Sequence, residues 1–271
     1  MNDIFSNLIS PLLTLRDIYS CILTNTHFNH LLDTSITWQI HCQLMNYLPI
    51  TSTYKQSYKT CRQLTTFLGK CGISCPLAEA LDVKGICTVP QTSPIPPCIG
   101  LFSNLRRLDL SYGSLTSLPD EIGRLTKLHT LLVYRNKLPL LNQTISNLVN
   151  LEYLYLANNK LQSLPQGFDH LTNLKHLDIS NNHLSTLPQE IVHLINLQYL
   201  SVSCNELSTL PNEITHLTNL TSLHASTNQL STLPQGFNTL TSLKRLSLSC
   251  NYFNSSTIVN LPNLDYHDYS L

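Results

Sequence analysis

From Leu105 onward the apolar positions follow a strict lattice. Leucines open successive units at Leu105, Leu128, Leu151, Leu174, Leu197, Leu220 and Leu243, a period of 23 residues. The unit from Leu174 to Asn196, LKHLDISNNHLSTLPQEIVHLIN, reads L-x-x-L-x-L-x-x-N-x-L-x-x-L-P-x-x-I-x-x-L-x-N. Repetition at such a period is the mark of a solenoid. Around the second and third leucines the alternation has period two, which predicts a short strand. Leu177 and Ile179 then point inward, while His176, Asp178 and Ser180 point outward. A single unit leaves its leucine ridges in water, so the apolar face is buried only when neighbours stack on both sides and each contributes a strand to a parallel sheet. The expected fold is an α/β solenoid with a curved parallel β-sheet on its concave face.

Ile95 to Asn104 fits the second half of a unit, so the array is expected to start before Leu105 and to occupy residues 95–271. The last unit, Leu243 to Asn263, is two residues short, and Leu264 to Leu271 would supply a degenerate closing strand.

Two polar columns belong to the architecture. Asn136, Asn159, Asn182, Asn205, Asn228 and Asn251 fill the turn position of successive units, with Gly113 in the first. A buried carboxamide there can bond backbone groups of its own and the adjacent unit, and an unmet partner costs about 1–3 kcal/mol. This predicts a structural asparagine ladder without a catalytic role. Pro119, Pro165, Pro188, Pro211 and Pro234 follow the leucine that turns the chain onto the far side, where proline sacrifices no ladder hydrogen bond.

With the inward positions nearly constant, the choice of ligand falls to the outward strand positions. The column before the second leucine runs Arg107, Thr130, Tyr153, His176, Tyr199, Ser222 and Arg245. The column after it runs Asp109, Leu132, Tyr155, Asp178, Ser201, His224 and Ser247. Strands about 4.8 Å apart would line up Tyr153, His176 and Tyr199, with Tyr155 and Tyr134 beside them. Tyrosine combines apolar area, a hydroxyl and low side-chain entropy, which suits it to protein interfaces and also to any half-exposed strand. Tyr134, Tyr153, Tyr155, His176, Asp178 and Tyr199 are the candidate partner-binding residues.

The repeat resembles the leucine-rich-repeat family, in the class with an L-P-x-x-I segment seen in Ras-pathway scaffolds and their plant relatives. The resemblance implies a protein-binding module. Ahead of it, Ile18, Cys21 and Ile22, and then Phe28, Leu31 and Leu32, have helical spacing, with Thr14-x-x-Asp17 as a capping box. Residues 1–42 therefore read as a small N-terminal helical module, and residues 43–94 as a connecting segment and cap. The module resembles the F-box, which docks substrate receptors onto the adaptor of cullin-RING ubiquitin ligases. The resemblance rests on Leu13-Thr-Leu-Arg-Asp17-Ile18, on Phe28-Asn-His-Leu31 and on Trp38, at the family's intervals. It implies that Leu13, Ile18, Ile22, Phe28, Leu31 and Trp38 build the module or face the adaptor. The family's opening Leu-Pro is absent, Pro11 interrupts the first helix, and Thr24-Asn25 stands where Val-Cys is usual. The resemblance implies a substrate receptor. The other reading is an interaction scaffold with no ubiquitin role.

Composition narrows the remaining options. Sixteen Lys plus Arg balance sixteen Asp plus Glu, so no basic field draws the chain onto nucleic acid or anionic lipid. No apolar stretch near the start is long enough to span a bilayer and no export signal is read, so an intracellular, cytoplasmic location is expected. Of nine cysteines, Cys61, Cys71, Cys75, Cys87 and Cys98 precede the repeats. They could form a disulfide-bonded cap in an extracellular recognition protein, but without an export signal reduced, packed thiols are expected. His170, His193 and His216 share one far-side column with no carboxylate or cysteine in it, and are expected to face solvent rather than a metal. No phosphate loop, nucleophile elbow or zinc-protease motif occurs. No enzyme activity, catalytic residue, metal or cofactor is expected.

Overall fold

The computed structural model describes residues 84–87, 94–253 and 266–268. The chain divides into Met1–Asp82 and Val83–Leu271, and only the second unit is described. Leu13, Ile18, Ile22, Phe28, Leu31 and Trp38, the helical module and most of the connecting segment lie outside the described residues.

Each coil contributes a strand of three residues: β1 Gly85–Cys87, β2 Arg107–Asp109, β3 Thr130–Leu132, β4 Tyr153–Tyr155, β5 His176–Asp178, β6 Tyr199–Ser201, β7 Ser222–His224, β8 Arg245–Ser247 and β9 Tyr266–Asp268. They form one parallel sheet in sequence order. The register aligns Leu108, Leu131, Leu154, Leu177, Leu200, Leu223 and Leu246 in one inward row. That row is buried, as are Val133, Leu156, Ile179 and Val202 two positions on. The chain is a leucine-rich-repeat solenoid, and its core is this lattice repeated coil by coil.

The sheet begins earlier than the leucine pattern marks. β1 pairs with β2, and buried Ile86 stands opposite Leu108 where later coils carry leucine. At the other end β9 pairs with β8 and closes the sheet within the expected degenerate segment.

On the return side the described residues form 3-10 turns. Five-residue turns such as Asp120–Arg124, Gln189–His193 and Asn212–His216 start after a proline at φ −71, −68 and −63°, a value its ring already favours. Where Asn142 replaces the proline, its side chain instead accepts a hydrogen bond from Thr144 N at 2.9 Å. In two coils Gly-Phe replaces the usual pair before the turn: Gly167 and Gly236 take φ +75 and +80°, and the turn shortens to Phe168–His170 and Phe237–Thr239. Glycine enters that region without a Cβ penalty.

The asparagine column links neighbouring coils. Asn159 Nδ2 donates to Val133 O in the preceding coil at 2.9 Å and to Leu156 O in its own at 3.0 Å, while its Oδ1 accepts from Leu138 N at 3.1 Å. Asn136, Asn182, Asn205, Asn228 and Asn251 repeat this geometry. Each carboxamide thus completes backbone groups that the bend would leave without partners.

Two further columns carry no leucine signal. A second, exposed asparagine ladder closes the far rim: Asn150, Asn173, Asn196 and Asn219 each donate 2.8 Å to a carbonyl one coil back, namely Thr126, Val149, Thr172 and Ile195. The residue before each ladder position is left-handed: Tyr112, Arg135, Asn158, Asn181, Cys204, Thr227 and Cys250 have φ between 53 and 58°.

Candidate functional site

The outward face of the sheet carries a row of rings. Tyr153, His176 and Tyr199 are register partners on β4, β5 and β6. Their rings stack at centroid distances of 4.9 Å (Tyr153–His176) and 5.7 Å (His176–Tyr199), with interplanar angles of 20 and 22°. The row then changes column. Tyr199 tilts toward His224, two positions further along β7, at 5.3 Å and 42°. Ser222, the direct register partner of Tyr199, and Ser201 are both buried. Small side chains at these two places give the Tyr199 ring room to lean, and the aromatic row continues diagonally.

His224 was present in the outward columns but was not grouped with the candidate residues. A stagger of this kind depends on side-chain direction, which column spacing does not specify. Tyr134 stands apart from the row. It meets left-handed Tyr112 edge-on at 5.1 Å, and the Arg135 guanidinium lies 5.2 Å from the Tyr112 ring centre. These three residues make a separate cation-aromatic group near the start of the array.

In the second outward column, β4 Tyr155 pairs with β5 Asp178, and Asp178 with β6 Ser201. Asp178 Oδ1 accepts from Ser180 N at 3.0 Å and from Ser180 Oγ at 2.7 Å. Among the described residues Oδ2 accepts no hydrogen bond, and no cationic side chain pairs with this carboxylate. Burial, and then the nearby Asp178 charge, push the phenols of Tyr155 and Tyr199 above their ordinary range. Burial holds the His176 and His224 imidazoles below theirs, helped by Lys175 and Arg245 respectively. Two ion pairs lie nearby: Lys175 Nζ is 2.8 Å from Glu152 Oε2, and Arg107 is 3.7 Å from Asp109.

The far-side histidines His170, His193 and His216 are exposed. His193 Nδ1 lies 3.6 Å from Asp169 Oδ2 in the preceding coil, and no cluster of three or more metal-ligating side chains occurs among the described residues. Cys98, Cys204 and Cys250 are free thiols, and burial pushes Cys98 up to about 12. No helix of the described residues is long and apolar enough to cross a membrane.

A parallel sheet of short strands, an inward leucine lattice and a buried asparagine ladder define the leucine-rich-repeat class, and the chain belongs to that family. The profile of the leucine-rich repeat region matches residues 81–182 and 169–266. Among solved structures the chain is similar to a leucine-rich-repeat protein of Leptospira interrogans, with 35% identity and a TM-score of 0.63. That alignment covers 65% of this chain and 45% of the Leptospira protein, so the chain spans under half of its length. Internalin C2 from Listeria monocytogenes is 26% identical with a TM-score of 0.62, over 77% of this chain and 91% of the internalin. The ectodomain of the plant membrane receptor kinase GASSHO1/SCHENGEN3 from Arabidopsis thaliana, in complex with CASPARIAN STRIP INTEGRITY FACTOR 2, is 26% identical with a TM-score of 0.57, over 72% and 28%. No curated protein sequence matches the chain.

Proposed function

We propose that the chain binds another protein through the outward face of its sheet, with the stacked row Tyr153, His176, Tyr199 and His224 as the centre of contact. The row itself carries this reading. Four half-buried rings are held side by side by strand register, so little rotamer freedom remains to be lost on binding. The plant ectodomain, structurally similar to this chain, is seen in complex with a partner.

In the fuller proposal this face captures a target and residues 1–42 deliver it to a cullin-RING ubiquitin ligase. Support comes from the F-box-like intervals of Leu13, Ile18, Ile22, Phe28, Leu31 and Trp38. Any catalysis then belongs to the partner complex, and the protein works inside the cell with Cys98 reduced. Domain limits follow the same division: module 1–42, connecting segment and cap 43–94, solenoid 95–271, with β1 of the connecting segment already paired into the sheet.

Two measurements test the proposal. A photo-crosslinker at Tyr153 or Tyr199 should join a discrete partner in cells, and Tyr153→Ala with Tyr199→Ala should remove that partner without lowering the unfolding midpoint much. Purified from cells, the intact chain should bring the cullin adaptor with it, and removal of residues 1–42 should abolish this. Absence of adaptor and cullin from the intact chain ends the ligase half and leaves an interaction scaffold.

A further inference from the structure

The central carboxylate of the ring-lined face has one satisfied oxygen and one open one. Asp178 Oδ1 is held by Ser180 N and Oγ, which fixes the side chain, while Oδ2 accepts no hydrogen bond among the described residues. Tyr155 is its register partner on one side. On the other side Ser201 offers no bulk, and the Tyr199 ring leans across it toward His224. The carboxylate therefore sits in an aromatic frame. Of the basic residues near this face, Lys175 pairs with Glu152 and Arg107 with Asp109, while Arg107 also acts on Tyr155 and Arg245 on His224; among the described residues none makes an ion pair with Asp178. Burial, and then Arg245, hold the His224 imidazole below its ordinary range, against the pull of Asp178.

A half-buried anion without an ion-pair partner gives up hydration that two hydrogen bonds to Oδ1 return only in part. The half-buried Tyr155 on the neighbouring strand adds a ring whose quadrupole attracts cations out to about 6 Å. The two effects add for one kind of visitor. Arginine suits the place better than lysine, because its flat guanidinium can bond Oδ2 at one edge while lying against a tyrosine ring.

We infer that Asp178, framed by Tyr155, Tyr199 and His224, is the subsite for an arginine side chain presented by the protein partner. This inference rests on the reading of the sheet face as the partner-binding surface. It narrows the partner to a protein that offers arginine at the centre of its contact.

The probe is N-acetyl-arginine methylamide, titrated into the full chain carrying carbon-13 labels in its aromatic rings. Its neutral isostere, N-acetyl-citrulline methylamide, is the control. The arginine probe should shift the Tyr155, Tyr199 and His224 ring signals and saturate, the citrulline probe should not, and Asp178→Asn should weaken the response about tenfold. Asparagine keeps an oxygen for the Ser180 bonds, so this variant folds, and its unfolding midpoint verifies that. Equal shifts from citrulline, no shift from arginine, or an unchanged response in Asp178→Asn would overturn the assignment. In the crosslinking assay, loss of capture in the double tyrosine variant but not in Asp178→Asn leaves the face standing and removes the arginine subsite. Unchanged capture in both removes the face itself.

Discussion

A Cβ placed on Gly123 would stand 2.5 Å from the carbonyl oxygen of Thr144 and 2.7 Å from its Cβ, so these two coils touch through backbone with no room for a methyl group. Gly100 meets Glu121 in the same way one coil earlier, at 2.8 and 2.9 Å. Because both obstacles include backbone, neither can swing aside. Gly123→Ala would ordinarily favour a helical turn. Here it should destabilise the fold by about 1–3 kcal/mol, the range for overpacking, as read by urea denaturation. A neutral or stabilising result would mean that the far-side turns can slide apart.

Asn182 is the middle rung of the buried ladder. Its Nδ2 donates to Leu156 O, Ile179 O and Ser180 O at 3.1, 3.0 and 3.1 Å, and its Oδ1 accepts from Leu161 N at 2.9 Å. Asn182→Ala strands buried groups on two coils. At about 1–3 kcal/mol per unmet group, the urea midpoint should fall by an amount equivalent to at least about 2 kcal/mol. Asn196→Ala, which breaks one exposed bond of the rim ladder, should cost well under half as much.

Thr227 holds φ +55° with a β-branched side chain, an unfavourable pairing of residue and backbone. Its amide still donates to Ser249 O at 2.8 Å, a bond that does not depend on the side chain. Thr227→Asn should therefore stabilise the chain by about 1 kcal/mol, measured as a raised urea midpoint with unchanged slope. A loss of stability would show that the threonine side chain does something the backbone geometry does not reveal.

His176 and His224 should make the fold acid-sensitive. Both imidazoles titrate below their ordinary value in the folded chain, so the unfolded chain takes up protons first as pH falls. Their contribution is constant above the ordinary histidine range. It declines as pH drops through that range and levels off below the folded values. The groups acting on them are Lys175 at His176, and Arg245 and Asp178 at His224, with Asp178 favouring the charged form. Thermal unfolding between pH 7.5 and pH 5 should therefore show a smaller drop in His176→Gln with His224→Gln than in the parent chain.

The inward lattice could be read from the leucine spacing because burial repeats at a fixed interval: Leu177 and Ile179 are as buried as the alternation requires. The asparagine column followed for the same reason, since a polar residue recurring inside an apolar lattice needs backbone partners. Side-chain direction was harder. The Tyr153–His176–Tyr199 row was visible as a column, but its diagonal step to His224 depends on Ser201 and Ser222 being small enough to lean over. Tyr134 is expected beside the row, yet its ring meets that of Tyr112 from the preceding coil edge-on. β1 lies outside the leucine pattern because Lys84-Gly-Ile-Cys87 keeps Ile86 at the inward position and none of the unit's leucines. The left-handed column carries no uniform signal, since beside Asn158 and Asn181 it holds tyrosine, arginine, threonine and cysteine where glycine would have announced it.

Each ladder asparagine reaches only one coil back, to the carbonyl 26 residues earlier and the amide 21 residues earlier. A whole coil can therefore be excised or duplicated with every rung re-formed, whereas a change of any other length breaks the rung at the splice. Removing Leu174 to Asn196 would set Asn205 against Leu156 and bring Tyr153 beside Tyr199, shortening the aromatic row by one ring and deleting Asp178 with it. Gain or loss of a whole unit would thus alter the outward face while leaving intact how the coils hold together.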